Sequence, residues 1–158
     1  MPWARERSGF TLLSEALVVT LAGMSRMPVR RVAKLLGVSD GRLWRSLGAR
    51  VDDAWAKADM SGVDAVGVDE KHVGRGRFIT VVHDGSAATR GRVLHVSEGR
   101  KADNVGAFAA ELTAHGGDPA AVTRCTMDLS KAYQAGARAH LPSARICFDP
   151  FHLVKMAQ

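Results

Sequence analysis

Past residue 62 the apolar residues change their spacing, and that change limits the fold more than any single motif does. Before it, apolar side chains recur three and four residues apart, as on one face of a helix. After it, "VDAVGVDEKHV" and "RFITVVHDG" are rich in β-branched residues that alternate with a period of about two. "GRG" between them is a hairpin signal, and "RVLHVSEG" supplies a third strand. A helix follows, "ADNVGAFAAELTAHG", with Val105, Phe108, Ala109 and Leu112 on one face. Then come a strand in "AVTRCTMDLS", a helix in "KAYQAGARAHLP", a strand in "ARICFD", and the opening of another helix in "PFHLVKMAQ". The order is βββαβαβα, three antiparallel strands followed by alternating helices and parallel strands.

The front of the chain, residues 1–60, contains no convincing strand. "TLLSEALVVTLAGM" has helical spacing, and "MPVRRVAKLLGV" starts with Pro28, suited to a first helical turn, and stops at Gly37. "SDGRLWRSLGARVDDAWAKA" then opens with Ser39 as a cap and sets Leu43 and Leu47 four apart. Two short helices joined by Gly-Val-Ser, at about residues 28–50, form a helix-turn-helix pattern. Val32, Ala33, Leu36, Val38, Leu43 and Leu47 supply its small core. The pattern puts Ser39, Gly41, Arg42 and Arg45 at the start of the second helix, the part that meets base edges and phosphates in such motifs. Charge points the same way. The chain carries +6 overall, and residues 26–50 hold seven cations against Asp40 alone, so the remainder is neutral in sum. The plainer alternative is a helical hairpin whose arginines are solvated.

Composition narrows the classes further. Cys125 and Cys147 both sit in apolar runs without a Cys-x-x-Cys pair, which supports neither a disulfide framework nor a cysteine zinc site. The apolar runs fall far short of the roughly 18 to 20 residues that cross a bilayer, and no signal-peptide core follows the N-terminus, so the expectation is a cytoplasmic protein with no membrane partner.

The element order from residue 63 to 158 is that of ribonuclease H-like folds, which an α/β fold of another kind can share. In that order the first and fourth strands are neighbours. Asp69 lies on the strand face opposite Val66 and Val68, and Asp128 follows the fourth strand at its C-terminal end, where open α/β sheets place their sites. Carboxylates brought together from separate elements suit two-metal phosphoryl transfer. The alternatives are a helix cap for Asp128 and a surface acid paired with Lys71 for Asp69. Asp149 and His152 follow the fifth strand and would sit beside the pair in a supporting role. Glu70, on the other face, is a poor ligand candidate. Lys131 and Tyr133 lie on the helix after Asp128 and could touch a phosphate, although packing explains Tyr133 equally well. The remaining histidines, His72, His83, His95, His115 and His140, are scattered without metal-ligand spacing.

Together, "VGVDEKHVGRG", the run "TMDLSKAYQAGARAHLPSARICFDPFHLVK" and the helix-turn-helix resemble a bacterial insertion-sequence transposase of the ISL-three type. The resemblance covers nearly the whole chain. It implies a ribonuclease H-like catalytic domain with a DDE triad binding Mg2+ or Mn2+, which cuts and joins double-stranded DNA at the element's terminal inverted repeats and at a target, with homo-oligomerisation open. Residue by residue, the first two triad acids match Asp69 and Asp128. The segment from Asp149 to His152 resembles the Asp/Cys-x-x-His signature of related transposases. Two departures stand out: no cysteine-rich zinc-binding segment precedes Met1, and no glutamate follows Glu111 to serve as the third acid. The expectation is a fragment of a longer transposase, incomplete in its catalytic domain. The alternatives are a catalytically inactive DNA-binding relic or repressor derived from one, and an unrelated metal-dependent nuclease.

Overall fold

In the computed structural model the chain divides into two compact units, Met1–Ala58 and Asp59–Gln158. The described residues are 3–4, 9–89 and 91–149; the helix expected from residue 150 onward, with His152, lies outside them.

Among the described residues, three α-helices build the first unit. Helix α1 (Leu12–Val19) starts where the Thr11 hydroxyl accepts from the Ser14 amide at 3.1 Å, and it runs on into one wider turn, Thr20–Met24. Helix α2 (Val29–Leu36) stops at Gly37, whose left-handed backbone (φ 66°) costs glycine nothing. Helix α3 (Asp40–Trp55) follows after Ser39, which holds the cap position without a side-chain cap bond. The Asp40 carboxylate instead accepts from the Gly41 amide at 2.9 Å. Val18, Val32, Ala33 and Leu43 form the buried centre, and Phe10, Leu36, Val38 and Leu47 pack against it. Glu15 is also fully buried, where an unpaired carboxylate would be costly, and Arg50 neutralises it at 2.6 Å. One cation of the basic stretch is therefore structural.

The second unit is a five-stranded sheet with helices. Its strands are β1 (Ala65–His72), β2 (Phe78–Asp84), β3 (Val93–Glu98), β4 (Arg124–Met127) and β5 (Arg145–Phe148), and its helices are α4 (Ala102–Ala114) and α5 (Lys131–His140). The spatial order is β3-β2-β1-β4-β5. β1 pairs antiparallel with β2 and parallel with β4, and β4 pairs parallel with β5. This is the ribonuclease H-like arrangement expected from the element order. Helix α4 buries Val105, Phe108, Ala109 and Leu112, the face set by its apolar spacing. Burying an apolar side chain of that size contributes about 1.5–3 kcal/mol. Polar ties register the helix: the Asn104 amide donates to Ser97 Oγ at 2.6 Å, and His95 Nδ1 lies 2.9 Å from Glu111 Oε2. Helix α5 covers the same sheet face, with the Tyr133 hydroxyl 2.8 Å from Thr80 Oγ1.

At the far end of β2, Asp84 closes the β2–β3 connection. Its carboxylate is buried and accepts from the Ser86 amide at 2.9 Å, Thr89 Oγ1 at 2.6 Å and Arg92 at 3.1 Å. Burial pushes this carboxyl up, but the bonds from Thr89, Ser86 and Arg92 outweigh it and hold the group below the usual carboxylate range. A depressed folded value stabilises the fold above the unfolded value, near 3.9, and that contribution fades as pH falls through the folded one. Asp84→Ala is expected to cost about 2–3 kcal/mol at neutral pH, since it leaves Thr89 and Arg92 without their acceptor. Denaturant unfolding of both proteins should show the gap narrowing below about pH 4; a gap independent of pH would exclude the ionised carboxylate as its cause.

Candidate active site

Three aspartates stand in one row across three neighbouring parallel strands. The ladder pairs Val68 with Met127 and Met127 with Phe148. The next residue on each strand is Asp69, Asp128 and Asp149. With strands about 4.8 Å apart, Asp128 is flanked on both sides by an acid. The Asp149 amide donates to the Met127 carbonyl at 3.0 Å, which carries the ladder up to this row. Burial explains why the row lies here: Ala65 to Val68 are buried, and Asp69 is the first exposed residue of β1. An acid one residue earlier would be enclosed by the sheet's neighbours. All three line a pocket of about 120 Å³ with Val68, His83, Thr126 and Met127.

The segment after β4 is built to hold Asp128. Its Oδ1 accepts from the Ser130 amide at 2.9 Å, closing a tight turn, and Ser130 in turn caps α5 through the Tyr133 amide at 3.5 Å. Tyr133 is fully buried and reaches Thr80 on β2. Burial raises its phenol pKa, opposed by the Thr80 bond and reinforced by the negative charges of Glu70, Asp128 and Asp69. The spacing Asp-x-Ser-x-x-Tyr is thus one mechanical unit: turn, cap and anchor. Asp69 is held more simply, its Oδ1 accepting from the Glu70 amide at 2.8 Å. Among the described residues the second oxygen of Asp69 and of Asp128 has no hydrogen-bond donor. Glu70 faces the other way and pairs with Arg100 at 3.4 Å.

The description "Helix-turn-helix domain of transposase family ISL3" matches residues 1–47, and the DDE domain of the same family, described as "Transposase", matches residues 66–158. The chain belongs to the ISL3 transposase family. It is similar to the transposase for insertion sequence element IS1557 of Mycobacterium tuberculosis, in two strains, at 28% identity over 163 residues covering 99% of this chain and 34% of that protein. The transposase for insertion sequence element IS1001 of Bordetella parapertussis is 30% identical over 107 residues, 67% of this chain and 25% of that protein. The chain thus spans about a third of the length of the IS1557 relatives.

For an ISL3 family member, the donors at the row are hard oxygens, the set that suits a hard divalent cation. Among the described residues no group of three His, Cys, Asp or Glu side chains converges to hold a metal ion unaided. Two carboxylates with open oxygens fit an ion that takes one or two protein carboxylates and completes its shell with water and substrate phosphate. Burial, then the neighbouring Cys147, pushes the Cys125 thiol up to about 12, so that thiol stays protonated and is a packing group. In the helix-turn-helix, Arg42 is half-buried, donating to the Gly9 carbonyl with its guanidinium 4.6 Å from the Phe10 ring centre. Arg45 and Ser39 are exposed. Among the described residues no helix is long and apolar enough to cross a membrane.

Sequence reasoning passed over His83 and Thr126. His83 is paired with Gly67 across β1 and β2, which puts it on the face that carries Asp69. The detectable signal was Gly67 itself, a glycine inside a valine-rich strand: a Cβ there would lie 2.2 Å from the His83 ring. Gly67→Ala should therefore displace the ring and cost about 1–3 kcal/mol. In a double-mutant cycle read by thermal unfolding, His83→Ala should recover much of that loss. Equal losses with and without the imidazole would show that the new methyl meets something else.

Proposed function

We propose that this chain binds double-stranded DNA at the terminal inverted repeats of an insertion element through α2 and α3, and that in the intact enzyme Asp69 and Asp128 hold two divalent metal ions, Mg2+ or Mn2+, for DNA strand cleavage and transfer in transposition. The single observation that carries the reading is the placement of Asp69 and Asp128 side by side on neighbouring parallel strands of an ISL3 family domain. When bound, the metal supplies Lewis-acid activation of an attacking oxygen and stabilises the leaving oxygen during in-line displacement at phosphorus. The protein's part is positional. Asp69 and Asp128 present open carboxylate oxygens at the rim of the sheet, and the Ser130 turn and the Tyr133 anchor keep Asp128 from swinging away. Asp149 lines the same pocket and supports the pair; His152 is assigned the role of holding the local geometry after it. Arg45 and Ser39, exposed at the start of α3, make the phosphate and base-edge contacts, joined by Arg42 if DNA draws it from the Gly9 carbonyl.

The second reading, a DNA-binding protein without catalysis, rests on the helix-turn-helix match over residues 1–47. Metal binding separates the two. Titration with Mn2+ followed by electron paramagnetic resonance should show binding that Asp69→Asn or Asp128→Asn abolishes and Asp149→Asn weakens only partly. Undiminished binding in Asp128→Asn would sink the metal assignment and leave the DNA-binding reading. DNA binding has its own check. On a duplex carrying the element's end, Arg45→Ala should weaken affinity and lower the slope of log K against log salt by about 0.9 for each phosphate it no longer neutralises. An unchanged slope would remove α3 from the interface.

A further inference from the structure

The sheet is stepped. β4 and β5 end at the aspartate row, but β1 and β2 stay paired for three more residues of β1, from Glu70 to His72. At about 3.3 Å per residue the hairpin runs roughly 10 Å past the acids before it turns. β3 ends at the same side, so the β3–α4 connection, Gly99 to Lys101, stands next to the hairpin. This projecting wall is basic. Lys71, Arg75, Arg77, Arg100 and Lys101 are all exposed, and no acid lies in the chain between Glu70 and Asp84. Glu70 is already paired with Arg100, and Glu98 is the acid that borders the wall's cavity. Among the described residues Lys71, Arg75 and Arg77 have no ion-pair partner.

Two details show the wall shaped rather than merely charged. Arg75 sits at the hairpin's apex with a left-handed backbone (φ 51°), a conformation that costs an arginine energy and that glycine or asparagine would adopt more readily. On the sheet face away from the acids, where Glu70 also points, Arg100 is extended over the Phe78 ring at 4.3 Å and His72 packs on the same ring at 5.2 Å, which orders the guanidinium. Between hairpin and connection lies an open cavity of about 260 Å³, lined by Arg77, Phe78, Gly99 and Arg100 among others.

We propose that this wall is a second DNA-binding surface, which grips the sugar-phosphate backbone of a duplex whose scissile phosphodiester lies at the aspartate row. It deepens the reading above, resting on it for the choice of DNA as the polyanion. Open cations fit phosphates, a step with an acidic floor and a basic wall fits a duplex laid against it, and 10 Å sets the grip about three base pairs from the row at about 3.4 Å per pair. Cations at that distance also offset the repulsion between DNA and the acids.

The test uses the full chain, a fluorescent duplex of about 30 base pairs and anisotropy measured over a range of salt concentrations. Arg75→Ala with Arg77→Ala is expected to lower the log K against log salt slope by about 1.8, which is two phosphates at 0.9 each. Arg75→Lys with Arg77→Lys should keep the slope. Arg75→Gly should weaken binding while leaving the melting temperature unchanged or higher, a split that damage to the fold would not produce. A slope unchanged in the alanine double variant would overturn the proposal. Its fate is separable from that of the helix-turn-helix: a chain insensitive to Arg45→Ala but sensitive at Arg75 and Arg77 keeps this surface and loses the other, and the converse pattern does the opposite.

Discussion

The parallel pairing of β1 with β4 is the constraint on which the second unit depends. β1 is the central strand, with β2 on one side and β4 on the other, so its inner residues cannot be polar without stranding a charge inside the sheet. Val66 and Val68 are buried under α4 and α5, Gly67 is buried by His83 across the ladder, and polarity begins at Asp69. The register then leaves no freedom: with Val68 opposite Met127 and Met127 opposite Phe148, the next residues of all three strands share one row. A slip of one residue would turn each of these side chains to the other face. Acids far apart in the chain become neighbours because apolar residues agree on where they must pair.

Charge in the molecule sorts into two populations. Some arginines are committed to the fold: Arg50 neutralises the buried Glu15, Arg92 holds Asp84, and Arg42 is drawn onto the Gly9 carbonyl and Phe10. Each pairing removes a cation from the pool available to a polyanion. Others stay open to solvent, Arg45 and Lys34 in the helix-turn-helix, Lys71, Arg75 and Arg77 on the hairpin. Net charge therefore says little by itself. The stretch after residue 62 is close to neutral in sum, yet three of its acids gather in a row and open cations project beside it. Under the proposed reading, the cations would take phosphates flanking the scissile bond and leave the carboxylates free for a metal.

The same residues show why small local signals call for mechanical readings. Ser130 turns the chain so that Asp128 faces the pocket while Tyr133 enters the core. Glu15 looks like a surface residue of an amphipathic helix, yet it is sealed inside with Arg50. The partner of Glu15 lies on another helix, and an isolated helix would not reveal it.

What the chain's own pattern determined was the kind and order of its elements. Period-two alternation, hairpin glycines and a four-residue apolar face in α4 are local properties, and they led to the ribonuclease H-like arrangement and the helix-turn-helix because burial follows periodicity. The motif around Asp128 was legible for the same reason, being continuous in the chain. Tertiary structure alone decided which of the remaining polar groups share a site. Asp149, expected beside the pair from the element order, falls in its row, and His83 enters the pocket, through strand register, a relation between distant residues that no window of sequence contains. Arg42 and Arg50 were assigned to internal partners by packing, which depends on where Gly9, Phe10 and Glu15 come to rest. Local periodicity is written in neighbouring side chains, but the company a charge keeps is set by the closure of the whole fold.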